Sequence, residues 1–130
     1  MSDDEFIARF EDGTLAPFRH CDHVRMAFLY LSRYPALEAV ERFSAALRRF
    51  ATAKGKPGLY NETITWAFLF LIRERMARGG EQTWEEFAGG NRELMNWENS
   101  ILRRYYREET LASELAKRTF VLPDRVGAGS

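Results

Sequence analysis

The sequence predicts an all-α protein, a single-domain bundle of five or six helices. Three observations carry that prediction. Apolar residues recur at helical spacing through most of the chain, no stretch alternates as a strand would, and proline and glycine fall between the periodic segments. A first short helix spans Asp3 to Phe10 and closes at Asp12-Gly13. A second runs from about Asp22 to Tyr34 and stops before Pro35, which cannot continue it. Its residues Val24, Met26, Ala27, Phe28, Leu29, Tyr30 and Leu31 cover nearly the whole circumference, which predicts a central helix.

A third helix, about Ala36 to Lys54, is amphipathic. Leu37, Val40, Phe43, Ala46, Leu47 and Phe50 make its buried stripe, and Glu38, Glu41, Arg42, Arg48 and Arg49 face water. Gly55, Pro57 and Gly58 make the turn that follows. A fourth helix starts at the good N-cap Asn61 and runs to Arg78, before Gly79-Gly80. Its apolar residues, from Ile64 through Ile72 to Met76, again surround the axis. Thr83-Trp84-Glu85-Glu86 reads as a capping box for a short helix ending at Gly89-Gly90. Residues 99 to 119 hold one or two helices rich in aromatic and basic residues. The helical domain is expected over residues 1–124, with 125–130 a fraying tail.

A chain of 130 residues, 45% hydrophobic and 29% charged, is long enough to bury a core. Nineteen basic residues balance nineteen acidic ones, so no global field draws it to nucleic acid or anionic lipid. One cysteine rules out an internal disulfide, the N-terminus lacks a secretory pattern, and the longest apolar run is too short for a bilayer. The expectation is a soluble cytoplasmic protein, without nucleic-acid or membrane partners.

The only two histidines, His20 and His23, stand three residues apart at the mouth of the second helix, so both can lie on one face. Short connections make neighbouring long helices antiparallel, so the second and fourth run parallel and share one end. Glu62, opening the fourth helix, then joins the two imidazoles. Two histidines and a carboxylate are the ligand set of a facial triad for iron or manganese, or of an open zinc site. Without metal, His20 or His23 serves as general base, Glu62 orients or protonates, and the helix N-termini hold a substrate anion. Asp22 is a further ligand or an outer hydrogen-bond partner of a ring. The bland reading stays open beside these. Histidine near a helix start often bonds free backbone groups, Asp22 serves as an N-cap, and Glu62 is favoured by the helix dipole without any chemistry.

Cys21 points away from the histidine face and is expected to be a small buried filler. Trp84, Trp97, Tyr105, Tyr106 and Phe120 are expected in the core or a lid. Arg103, Arg104, Arg107, Lys117 and Arg118 are able to bind an anionic substrate, but a solvated helix face is the default for such a run.

Three segments resemble those of a small uncharacterised bacterial all-helical protein family. They are Phe18-x-His20-x-x-His23-Val24-Arg25-x-Ala27, Tyr60-Asn61-Glu62-Thr63-Ile64-Thr65, and Tyr105-Tyr106-x-x-Glu109-Thr110-Leu111 through Phe120-Val121-Leu122-Pro123-Asp124. The resemblance covers roughly residues 15 to 124. It implies a pocket shared by these segments, and a histidine in relatives where this chain has Asn61, a poorer metal ligand. It implies no reaction.

The functional expectation is a small-molecule-binding or metal-binding protein, with enzymatic activity left open. His20, His23 and Glu62 are its catalytic or metal-ligating residues, with iron, zinc or manganese as the candidate metals. The rival is a non-catalytic interaction module or homodimer, in which these residues are caps and Trp84, Trp97 and Tyr105-Tyr106 form the partner surface.

Overall fold

Seven α-helices and three short 3-10 turns, with no strand, make up the described residues of a computed structural model, residues 1–125. The helices are α1 (Asp3–Glu11), α2 (His20–Arg33), α3 (Ala36–Ala53), α4 (Glu62–Gly79), α5 (Trp84–Gly90), α6 (Glu108–Leu111) and α7 (Glu114–Arg118). The turns cover Pro57–Leu59, Arg92–Met95 and Ile101–Arg104. The chain is therefore all-α, as its periodicity predicts. The fraying tail was expected on residues 125–130, and all but Arg125 lie outside the described residues.

The helix α2 packs on both α3 and α4, α1 lies against α3, and α7 against α4. Val24, Met26, Ala27, Phe28, Leu29, Tyr30 and Leu31 are all buried, so α2 is the central helix its circumference predicts. It starts two residues earlier than expected because Asp22 is not its N-cap. The Asp22 carboxylate accepts the Arg19 backbone N–H at 2.9 Å, which places Asp22 inside the first turn. On α3, Val40, Phe43, Ala46 and Phe50 are buried, but Leu37 is 80% exposed. Leu37 lies in the first turn of α3, on its solvent side. Phe70 on α4 is likewise exposed, so one side of that helix meets solvent.

Gly13 ends α1 in the left-handed region at φ 80°. A Cβ there would stand 2.7 Å from the Cβ of Ala53, so glycine is what allows the end of α1 to meet the end of α3.

The stretch 99–119 holds two helices, as expected, but they are the short α6 and α7, preceded by the last 3-10 turn. The returning C-terminal segment competes for its backbone. The Tyr105 carbonyl accepts the N–H groups of Asp124 and Arg125 at 3.1 and 3.0 Å, and the Arg107 N–H is taken by the Asp124 carboxylate at 3.0 Å. Ser113 then caps α7 by accepting the Ala116 N–H.

Thr63, fully buried on α4, fixes the same segment. Its hydroxyl donates to the Thr119 carbonyl at 2.8 Å and accepts the Val121 N–H at 3.0 Å. The Tyr106 hydroxyl adds a bond to the Val121 carbonyl at 2.7 Å. Replacing Thr63 by the nearly isosteric valine removes both Thr63 bonds. Thr63→Val is expected to cost about 1–3 kcal/mol in urea unfolding and to speed amide exchange at Val121, while α2 exchanges as before.

Candidate functional site

The first turns of α2 and α4 open onto one cavity of about 880 Å³. That volume falls near the top of the range of about 300–1,000 Å³ typical of small-molecule sites. Its lining is mostly apolar and nearly buried at the closed end, with Val24 and Ala27 on α2, Phe43 and Phe50 on α3, and Leu69 on α4. Exposed residues, among them Lys54, Lys56, Leu59 and Trp97, form its mouth. The apolar pattern of the sequence marks the deep residues as core. Nothing in spacing distinguishes a side chain that faces a void from one that faces a neighbour.

His20 and His23 both line this cavity. The Nε2–H of His20 donates to the Leu94 carbonyl at 2.8 Å, so its tautomer leaves Nδ1 with the free lone pair. The ring meets Phe68 and Trp97, each with centroids 5.1 Å away. Burial lowers its pKa, although the Leu94 carbonyl favours the protonated form. His23 stacks on Phe18 with centroids 3.9 Å apart. Neither of its ring nitrogens has a protein partner among the described residues, and neither is sealed from solvent-accessible space. Burial, then repulsion from His20, pushes its pKa down to about 4. Both imidazoles are therefore neutral near pH 7.

Glu62 stands in the same first turn of α4 as Asn61 but turns away from the cavity. Its Oε1 accepts the Arg48 guanidinium at 2.7 Å and the Tyr60 hydroxyl, and Arg48 also covers the Tyr60 ring at 4.9 Å. Burial, together with the bond to Glu62, pushes the Tyr60 pKa up to about 12. This triangle joins α3, the turn after it and α4. The set of His20, His23 and Glu62 expected from the sequence is thus brought together only in its two histidines. Among the described residues, no group of three or more His, Cys, Asp or Glu side chains is placed to hold a metal ion.

Asn61 is the N-cap that its position predicts. Its Oδ1 accepts the Ile64 N–H at 2.9 Å, and its Nδ2 donates to the Leu111 carbonyl at 2.8 Å, so the amide oxygen is already committed. Asp22 is occupied by the start of α2. Cys21, expected as a buried filler, is exposed, because its side of α2 faces away from the neighbouring helices. The aromatic surface considered for a partner is also broken up. Tyr106 is buried and bonded to Val121, and Trp84 packs on Phe28 and Phe87. Trp97 and Tyr105 do remain exposed.

In comparisons with known proteins, the chain matches no family model, no curated protein and no solved structure.

Glu62→Gln removes the charge that faces Arg48. It is expected to lower stability by about 1–2 kcal/mol in urea unfolding, and a neutral or stabilising effect would return Glu62 to a functional role. His23 predicts a pH effect of definite sign. The unfolded chain takes up this proton near pH 6.5 and the folded chain only near pH 4, so between those values the unfolded state binds more protons. The His23 contribution is therefore complete above pH 6.5 and is lost as pH falls toward 4. About 3 kcal/mol is at stake, and His23→Gln is expected to flatten that part of the stability–pH curve.

Proposed function

We propose that this protein binds an apolar small molecule in the cavity between α2, α3 and α4, with residues 1–124 acting as one helical domain. The observation that carries the reading is a cavity of about 880 Å³ with buried apolar walls and two neutral imidazoles. Such a site combines a large apolar surface with a few polar groups that set orientation. His23 is the polar contact, since its nitrogens lack protein partners among the described residues. His20 is the second, through Nδ1, with its ring held by Leu94.

The donor chemistry favours this reading over a centre of iron, zinc or manganese. Glu62 is committed to Arg48 and Tyr60, Asn61 to Ile64 and Leu111, and Asp22 to Arg19. The depressed basicity of His23 favours binding over general-base catalysis. A base works best with a pKa near the working pH, and about 4 lies far below it.

A neutral fluorophore, N-phenyl-1-naphthylamine, tests the reading. One molecule is expected to bind per chain with a blue-shifted, enhanced emission, and Ala27→Phe, which fills the deep wall, is expected to abolish the signal while the fold is retained. No enhancement by the native protein would overturn the proposal.

A further inference from the structure

The chain contains three lysines, Lys54, Lys56 and Lys117, against sixteen arginines. All three lysines line the cavity, while no arginine, aspartate or glutamate does. The protein as a whole is neutral, so this local excess is not the by-product of a basic surface. The lysines come from two parts of the fold, the connection after α3 and α7. Lys54 follows the end of α3, Lys56 precedes the 3-10 turn 57–59, and Lys117 lies on α7. Lys54 and Lys56 are exposed and Lys117 is half-buried, so the charges belong to the mouth while the walls beneath them are apolar.

Existing contacts leave these ammonium groups available. Lys54 Nζ lies 5.3 Å from the Phe50 ring centroid, and Lys117 Nζ is 3.7 Å from Glu114 in a loose, solvent-exposed pair. Lysine suits such a rim. Its apolar stem extends the cavity wall while its head stays in water as a mobile point charge. The deeper polar groups are neutral histidines, which gives an anion no reason to descend.

We propose that the occupant of the cavity is a single-chain amphiphile, its apolar tail enclosed between α2, α3 and α4 and its anionic head held by Lys54, Lys56 and Lys117. This rests on the small-molecule reading of the cavity and names the ligand class. The head is a carboxylate or a phosphate, since both present oxygen acceptors to ammonium donors.

The test displaces N-phenyl-1-naphthylamine from the full chain with dodecanoate or dodecyl phosphate, each below its micellar concentration, or with dodecanol below its solubility limit. The anions are expected to bind about tenfold tighter than the alcohol, the sum of three weak solvent-exposed ion pairs. That preference should vanish in the triple variant K54Q/K56Q/K117Q, with dodecanol affinity unchanged. It should also fade in the unmodified protein as salt rises from about 0.01 M to about 1 M, where screening shortens from about 30 Å to about 3 Å. The salt series decides the matter if the triple variant fails to fold. The tighter of the two anions identifies the head group. Equal binding of dodecanol and the anions would overturn the lysine assignment and leave the cavity reading standing. Displacement by none of the three would overturn the amphiphile. Failure of the fluorophore itself to bind would remove the cavity reading and this proposal with it.

Discussion

Asn61 closes the first turn of α4 with its Oδ1 and holds the carbonyl of Leu111 with its Nδ2, and much of the architecture leans on that one doubly bonded side chain. Two residues on, Thr63 uses its hydroxyl in both directions to hold the backbone at Thr119 and Val121. Glu62, between them, draws in Arg48 and Tyr60 from the other side. A helix start must satisfy its free N–H groups in any case. Here the same few residues also fasten the C-terminal segment and the α3–α4 connection. With that turn fixed and α4 packed on α2, the first turns of the two helices meet at one cavity.

The cavity follows from how its walls are supplied. Large apolar side chains from α2, α3 and α4 converge at depth, but the elements nearest the opening are a short turn and the brief helices α6 and α7. Short elements bring few side chains to fill space, so the end of the helical packing stays open. Half-buried imidazoles lose part of their hydration, which favours the neutral forms of His20 and His23. Phe18 stacks on the His23 ring and fixes its plane, leaving its nitrogens to the cavity. The site is thus apolar with neutral polar contacts inside and cationic only at its edge.

Much of this was legible in the residues themselves. The circumference of α2, the cap at Asn61, the capping box at Thr83 and the breaks at Pro35 and Gly79-Gly80 each rest on forces that act within a few residues. The i, i+3 spacing of His20 and His23 likewise placed both on the cavity side. The exposure of Leu37 and the shortness of the two helices within 99–119 were not legible, because both depend on distant parts of the chain. Leu37 is left exposed at the start of α3, and the backbone of Tyr105 and Arg107 is claimed by Asp124 and Arg125.

Sequence alone settled the helical class, the main long helices and the shared face of the two histidines, since periodicity and capping are local. Tertiary structure decided what the polar residues do. A carboxylate at a helix start looks the same in sequence whether it turns toward an imidazole or toward an arginine fourteen residues earlier, as Glu62 does with Arg48. It also decided that Lys117 on α7 meets Lys54 and Lys56, from the connection after α3, at one rim. Such convergence depends on how helices pack across long sequence separations, which no local preference encodes.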